Sequence, residues 1–203
     1  MGMETVNTIG VLLGSSWASG VNLYMSMAGL GIAHRMGLVS LPGDMEVLSH
    51  PLIIGVAIFL YAIEFVADKV PYVDSAWDSV HTFIRPIAGS ALEYMAMADA
   101  GQIMQIPVAL LTGSIALDSH LTKATTRLAI NSSPEPVSNS VASVTEDATV
   151  IGMLYLIISH PIVATVLVIV FIIFSVWFLK KMFKFIKKVF SFSGRRKFEE
   201  ANP

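Results

Sequence analysis

The chain has 203 residues, of which 54% are hydrophobic and only 14% are charged. Soluble domains usually contain about 25% charged residues, so this composition excludes an ordinary soluble globular protein. Each membrane crossing needs about 20 residues, so the length accommodates one bundle of roughly five or six spanning helices and no separate soluble domain. The absence of cysteine excludes disulfides, thiolate nucleophiles and Cys-ligated metal centres.

The charge is distributed unevenly along the chain. Eight of the thirteen Lys and Arg residues follow Leu179, and after subtraction of Glu199 and Glu200 the tail has a formal charge of +6, which leaves -8 for residues 1–179. A basic stretch directly after an apolar span is typical of a cytoplasmic anchor near anionic lipid headgroups. We therefore predict a transmembrane helical domain, residues 1–179, and a basic cytoplasmic amphipathic tail, residues 180–203. A nucleic-acid-binding arm is the less favoured interpretation.

The first half of the chain predicts three helices in order. An uncharged helix from Val6 to Ala33 is rich in glycine and serine, which favours close packing against other helices. A polar loop, His34 to His50, leads to a second helix from Pro51 to about Asp68. The next segment, Asp74 to Ala98, is charged in its first half and interrupted at Pro86. It either crosses the membrane as a broken helix or re-enters on the same side.

Three further helices complete the predicted bundle. The helix from Gly101 to about Ile130 ends at the turn Asn131 to Pro136, whose two prolines fix its shape. Val137 to Ile158 follows, and Pro161 to Leu179 is the most lipid-like span. If all six helices cross, both termini lie in the cytoplasm, because the basic tail sets the orientation. If Asp74 to Ala98 re-enters, the N-terminus lies outside.

Three of the predicted helices carry ionisable residues on one face. Glu64 and Asp68 are four residues apart, which places both on one side of the second helix. Helical spacing groups two further sets in the same way: Asp74, Asp78, His81 and Arg85, and then His120, Lys123 and Arg127. An unpaired charge at membrane depth costs at least about 2.5 kcal/mol on insertion scales, so we expect these faces to meet. Glu146 or Asp147 then approaches from the fifth helix.

Ionisable residues inside a membrane indicate an ion or solute pathway by default. We expect a small transporter or channel-like protein in which Glu64 and Asp68 bind a cation or a proton, and His81 titrates beside them. Lys123 and Arg127 would serve as counter-charges or bind an anionic group. The alternative is that the ion pairs only lock the bundle together, which predicts a structural or assembly subunit of a membrane complex.

A third interpretation is a membrane-embedded enzyme that acts on lipid headgroups with a metal held by Asp74, Asp78 and His81. The spacing matches no specific metal motif, and hydrolase, metalloprotease and phosphate-loop motifs are absent from the sequence. An enzyme is therefore less favoured, and neither a metal nor a cofactor is predicted. The full set of predicted substrate- or ion-binding residues is Glu64, Asp68, Asp74, Asp78, His81, Arg85, His120, Lys123, Arg127, Asn131, Glu146 and Asp147.

Four sequence motifs resemble those of a known family. They are SGVNLY at 19–24, EFVADKVP at 64–71, DSAWDSVHTFIRP at 74–86 and NSSPEP at 131–136. Over about residues 10–175 the chain is similar to small bacterial integral membrane proteins that are grouped as a domain of unknown function. The resemblance implies a multi-pass helical membrane protein, and it supplies no activity, substrate or site. We expect the protein in the bacterial inner membrane, with its C-terminus in the cytoplasm. Because a small chain often needs a second copy to enclose a pathway, we expect a homo-oligomer or a partner within a membrane complex.

Overall fold

The structure is a computed structural model that describes the backbone of residues 2–70, 72–131 and 136–201, and the side chains of these residues except 3, 4, 136 and 185–201. Within these ranges it is helical and contains no strand. Two short 3₁₀ helices, Gly43–Ser49 and Ala98–Ala100, precede the third and fifth α-helices. The α-helices in chain order are α1 (Met3–Val21), α2 (Leu23–Arg35), α3 (Pro51–Ala67), α4 (Val73–Ala96), α5 (Gln102–Ile130), α6 (Pro136–Ser159) and α7 (Pro161–Ala201).

The predicted first helix is in fact two helices, α1 and α2, that meet at Asn22. The backbone of Asn22 is extended, with φ -146° and ψ 99°, which ends α1. Its side-chain oxygen accepts a hydrogen bond from the backbone N–H of Met25 at 3.0 Å and caps α2. Asparagine is one of the preferred residues at this position. The prediction of one uninterrupted helix from Val6 to Ala33 is therefore wrong, because this cap starts a second helix within an uncharged sequence.

The segment that contains Pro86 is one continuous helix. α4 includes Pro86 in its interior, so the predicted interruption at this residue is wrong. A proline inside a helix removes one backbone hydrogen bond and usually bends the helix. Here the extensive packing of α4 along α5 and α1 outweighs that loss. At 1.5 Å per residue, 24 residues extend for about 36 Å in one direction.

Helix α1 lies at the centre of the bundle and packs against α4, α5, α6 and α7. Its closest approach is to α5 at Gly20, where an added Cβ would overlap the hydroxyl of Ser119 and the backbone carbonyl of Ala116. The Ser119 hydroxyl in turn donates a hydrogen bond to the carbonyl of Trp17 at 2.9 Å. The predicted close packing of the glycine- and serine-rich helix is confirmed at this contact.

The distribution of side chains is the reverse of that in a soluble protein. Large apolar side chains point outwards on α3, α4, α5 and α7, while most ionisable side chains of α3, α4 and α5 are buried. Lipid around the bundle explains this arrangement, because apolar side chains then face hydrocarbon and charges face each other. Apolar residues that are more than 60% exposed include Phe59, Phe83, Ile87, Leu110 and Ile173.

Two helices are long and apolar enough to cross a membrane, Val137–Ser159 and Pro161–Lys184. A third span results if Gly43–Ser49 and Pro51–Ala67, which are bent by 69° relative to each other, count as one. These helices indicate a membrane protein. The prediction of five to six spanning helices is not confirmed, because the buried charged residues of α4 and α5 interrupt the apolar runs that define a span.

Helix α7 continues without a break past residue 179, the predicted end of the transmembrane domain. Lys180, Lys181 and Lys184 are exposed, and the Lys181 ammonium lies 4.9 Å from the ring centroid of Trp177. The amphipathic pattern predicted further along the tail lies outside the described side chains. The same is true of most of the predicted turn at 131–136.

Candidate functional site

The ionisable faces of α3, α4 and α5 meet, and with α6 they form what we call the buried charge cluster. The structure brings all the predicted site residues into this one region, and Asn131 lies at its edge. Ten members are at most 8% exposed and the Glu146 side chain is 16% exposed. The members are Glu64, Asp68, Asp74, Asp78, His81, Arg85, His120, Lys123, Arg127, Glu146 and Asp147.

Arg85 connects the cluster to the break between α1 and α2. Its guanidinium forms an ion pair with Glu64 at 2.5 Å. It also donates to the carbonyls of Gly20 at 2.8 Å and Val21 at 2.9 Å. These carbonyls are at the end of α1, where they have no partner four residues further along the helix. The sequence predicted non-helical backbone at Arg85 and Pro86, but the free backbone carbonyls are those of Gly20 and Val21 at the end of α1, and Arg85 donates to both.

Lys123 and Arg127 of α5 pair with the acidic residues of α3 and α6. The Lys123 ammonium lies 2.9 Å from Asp68 and 3.4 Å from both Glu64 and Glu146. Arg127 binds Glu146 through two parallel hydrogen bonds of 2.8 and 2.7 Å, which is the strong bidentate geometry of a guanidinium and a carboxylate. The predicted meeting of the acidic and cationic faces is therefore confirmed.

His120 is held as a neutral imidazole by its partners. Its Nδ1 accepts a hydrogen bond of 2.9 Å from Arg85, because a guanidinium can only donate. Its Nε2 therefore carries the hydrogen and donates to the carbonyl of Asp78 at 3.1 Å. Both ring nitrogens are occupied, and this arrangement positions Arg85 towards Glu64.

His81 lies at the side of the cluster nearest to α2. Its Nδ1 donates to the carbonyl of Trp77 at 2.8 Å, and its ring stacks on the Trp77 indole with 4.6 Å between centroids. Its Nε2 lies 3.1 Å from the hydroxyl of Tyr24. A neutral imidazole satisfies both contacts, with Tyr24 as the donor at Nε2.

Several uncharged residues hold the acidic side chains, and of these only Asn131 was among the predicted site residues. Asp147 accepts hydrogen bonds from Asn22 at 3.1 Å and from Tyr61 at 2.9 Å. Asn131 donates to Asp74 at 2.8 Å and accepts from Asn139 at 2.7 Å. Asn22 lies within an apolar stretch of the sequence, and this was the available signal for its role, because a buried side-chain amide requires hydrogen-bond partners.

The cluster contains more acids than bases. Six carboxyl groups, Glu64, Asp68, Asp74, Asp78, Glu146 and Asp147, face three cationic side chains, Arg85, Lys123 and Arg127, so its formal charge is -3 with both histidines neutral. Lys69 lies at the rim, where its ammonium donates to Ser143, and it reduces the imbalance only to -2. Among the residues that the structure describes, the cluster therefore has no full set of counter-charges.

Five buried carboxylate oxygens of the cluster accept no hydrogen bond from the described residues. They are one oxygen each of Glu64, Asp68 and Asp74, and both oxygens of Asp78. Asp78 is only 3% exposed, and it lies beside a cavity of about 190 Å³ between α4 and α5 that Ser75, Thr82 and Thr125 also line. Buried polar groups normally have partners, so these oxygens identify where a bound cation or proton would be stabilised.

The described residues contain no group of three or more His, Asp or Glu side chains that is arranged to hold a metal ion. Asp74, Asp78 and His81 share a face of α4, as predicted, but they do not form such a group. Two other carboxyl groups that the sequence analysis missed lie outside the cluster. Glu93 is fully buried on α4, and Asp118 is half-buried on α5.

Fold and site together define a helical membrane protein with a buried, acid-rich charge cluster. The family model described as Domain of unknown function (DUF4126) matches residues 9–181, and the chain belongs to this family. The match confirms the family resemblance seen in the sequence motifs. No curated protein and no solved structure matches the chain.

Proposed function

We propose that this protein is a small transporter or channel-like protein whose buried charge cluster binds a cation or a proton on its way across the membrane. The observation that carries the proposal is the excess of buried carboxyl groups over cationic side chains, together with the unpartnered carboxylate of Asp78. A cation or proton that enters the cluster neutralises part of this excess.

The charge imbalance favours a binding site over a purely structural ion-pair network. A buried ion pair stabilises a fold only when its geometry is good and its remaining polar atoms have partners, and an uncompensated buried charge is costly. Arg127 meets these conditions with Glu146, and Arg85 forms a close pair with Glu64. Asp78 does not meet them, since neither of its carboxylate oxygens has a partner among the described residues. An ion-binding role explains why the protein retains the energetic cost of burying the Asp78 carboxylate without a hydrogen-bond partner.

Asp78 is the residue at which we expect the ion to bind. The sequence favoured Glu64 and Asp68, but both are engaged by Lys123, and Glu64 also pairs with Arg85. Asp78 has free acceptor oxygens, and its backbone carbonyl is fixed by His120. Glu64 and Asp68 then act mainly as the counter-charges that hold Lys123 and Arg85 in place.

The proposal places α4 and α5 inside the membrane with their apolar faces towards lipid. It retains the predictions of a bacterial inner-membrane location, several membrane crossings and a cytoplasmic C-terminus. The exposed Lys180, Lys181 and Lys184 are suited to contact anionic lipid headgroups at the cytoplasmic surface. A homo-oligomer that encloses the pathway remains part of the proposal.

The test is ion and proton flux into liposomes that contain the purified protein, under an imposed pH or potential gradient. We expect the wild-type protein to conduct and D78N to lose most of the flux. D118N is the matched control, because it neutralises a carboxyl group that lies outside the cluster and is paired with Ser175. Folded D78N protein with wild-type flux would exclude Asp78 as the binding residue, and no wild-type flux under any gradient would contradict the proposed function.

The second candidate is an assembly subunit of a larger membrane complex. The seven ion pairs that connect α3, α4, α5 and α6 favour it, because such a network also fixes helix positions. This candidate predicts that the protein purifies with other membrane proteins and that D78N changes stability without any transport phenotype.

A further inference from the structure

Glu93 is a fully buried carboxyl group without a counter-charge. It is 0% exposed near the end of α4 and forms no ion pair among the described residues. Its Oε1 lies 2.5 Å from the hydroxyl of Ser15 on α1. Its Oε2 has no hydrogen-bond partner among the described residues. An isolated carboxylate in apolar surroundings is strongly unfavourable, whereas the neutral acid is tolerated.

The contacts of Ser15 are both satisfied when Glu93 carries a proton. The Ser15 hydroxyl oxygen lies 2.5 Å from the carbonyl of Val11 and 2.5 Å from Glu93 Oε1. A serine has one hydroxyl hydrogen, which Ser15 can donate either to the carbonyl of Val11 or to Glu93. When Ser15 donates to Val11, a protonated Glu93 carboxyl group donates to Ser15 Oγ, and both contacts are then hydrogen bonds.

Glu93 shares the face of α4 that carries the buried charge cluster. Asp74, Asp78, His81 and Arg85 are followed along this buried face by Gly89 and Glu93 at intervals of four residues. From Asp74 to Glu93 the helix rises by about 28 Å, which is close to the roughly 30 Å thickness of a bilayer's hydrocarbon core. The buried polar face of α4 is thus long enough to connect the two sides of a membrane.

Buried serines of α1 occupy the interval between Glu93 and Arg85, and the hydroxyls of Ser16 and Ser19 donate to the backbone carbonyls of Thr112 and Ser16. Buried Ser15, Ser16 and Ser19 follow one another on α1, and a Cβ added at Gly89 would lie 3.3 Å from the Ser19 hydroxyl. The next residue, Gly20, offers its carbonyl to Arg85 at 2.8 Å. The row therefore runs from Glu93 along the serines of α1 to Arg85 and the cluster.

The other elements packed at this end of α4 bring no buried ionisable group to Glu93 among the described residues. Helix α5 contributes the side-chain amide of Gln105, which donates to the carbonyl of Tyr94, and the backbone carbonyl of Thr112, which accepts from Ser16. The 3₁₀ helix Gly43–Ser49, which packs on the end of α4, carries Asp44 and Glu46, and both are exposed. Among the side chains that the structure describes, Ser15 is thus the one bonded to Glu93.

We propose that Glu93 is a proton-binding residue of the pathway, at the end of the polar row opposite the buried charge cluster. Its carboxylate accepts a proton from water on the side of the Gly43–Ser49 helix, and the carboxyl group releases it towards the serines of α1 and the cluster. This inference rests on the proposed transport function and identifies the proton as the ion that is moved or coupled.

The experiment combines infrared spectroscopy and proton flux on the full-length protein in liposomes. Glutamine can replace the neutral acid and still donate to Ser15, so we expect E93Q to fold. At neutral pH the wild-type protein should show the carbonyl stretch of a protonated carboxyl group that E93Q lacks. E93Q should lower proton flux by on the order of a hundredfold, the usual contribution of a positioned proton-transfer group. E46Q, which changes an exposed glutamate on the neighbouring 3₁₀ helix, should match the wild type in both measurements.

The outcomes separate this inference from the function on which it rests. If E93Q conducts protons as the wild type does while D78N does not, the role of Glu93 is excluded and the transport function stands. The role of Glu93 is also excluded if the wild-type protein conducts only other cations, or if the protonated-carboxyl band of E93Q is identical to that of the wild type. A wild-type protein without any flux overturns both. Loss of the band and of proton flux in E93Q, with E46Q unaffected, supports the proposal.

Discussion

Helix α5 is held on two sides by different kinds of interaction. Towards α1 it packs through small residues, with Gly20 against Ala116 and the Ser16 hydroxyl bonded to the carbonyl of Thr112. Towards α3, α4 and α6 it is held by charges, since Lys123 and Arg127 together contact four carboxyl groups. The first interface is neutral and closely packed, and the second is charged and contains unpartnered oxygens.

The difference separates the neutral interface, which is closely packed, from the charged interface, to which we assign the proposed ion-binding function. Close packing of small residues is the usual way that membrane helices associate, because lipid offers no hydrophobic drive between apolar surfaces. The charged interface gains less from its ion pairs, since desolvation opposes them. Arg85 links the two interfaces, because it binds both Glu64 and the carbonyls at the end of α1.

Replacement of Arg85 should have the largest effect, because it breaks both interfaces at once. We expect R85M to destabilise the protein by about 3–5 kcal/mol, the usual cost of removing one partner of a buried ion pair. Glu64 would lose its closest counter-charge, and Gly20 and Val21 would lose their donor. Unfolding in mixed detergent micelles measures the change. The double variant R85M/E64L should recover part of the loss, and a double variant less stable than R85M would contradict this account of the pair.

The substitution G20A should break the neutral interface and leave the ion pairs in place. An added Cβ would overlap a backbone carbonyl, which cannot move aside as a flexible side chain can. We expect destabilisation by about 1–3 kcal/mol, as for other overpacked interiors. G55A on α3 is the matched control, because a Cβ there meets nothing within 4 Å. It should be neutral or stabilising by up to about 1 kcal/mol, reflecting the better helix propensity of alanine. Equal losses in the two variants would show that contact with α5 is not the cause.

Most of the charge cluster was predictable from the sequence because helical spacing fixes which residues share a face. Glu64 and Asp68, four residues apart, do lie together and face Lys123. The pairing of the faces followed from the cost of isolated charge in a membrane. The helix boundaries of α3 and α5 were also predictable, since proline and loop residues mark their ends.

The remaining features depend on single residues that act through tertiary contacts. Asn22 divides a uniform uncharged stretch because its amide caps α2 and also reaches Asp147 on α6, and no local pattern indicates the second contact. Pro86 does not break α4, because packing against α5 and α1 outweighs one lost hydrogen bond. Glu93 was overlooked because it follows an apolar run without a cationic partner nearby in the sequence.

Asp118 offers the smallest expected effect and the sharpest test of how the two interfaces differ. It is an ionisable residue of α5 that lies outside the charged interface, where it accepts a hydrogen bond of 2.5 Å from Ser175 on α7. An amide oxygen can accept the same bond, so D118N should change the free energy of unfolding by no more than about 0.6 kcal/mol, the average for a hydrogen bond between membrane helices. S175A removes the donor and should cost at least as much as D118N. If D118N instead destabilised the protein as strongly as R85M, the charge of Asp118 would be coupled to the cluster, and the division of α5 into a neutral and a charged side would be wrong.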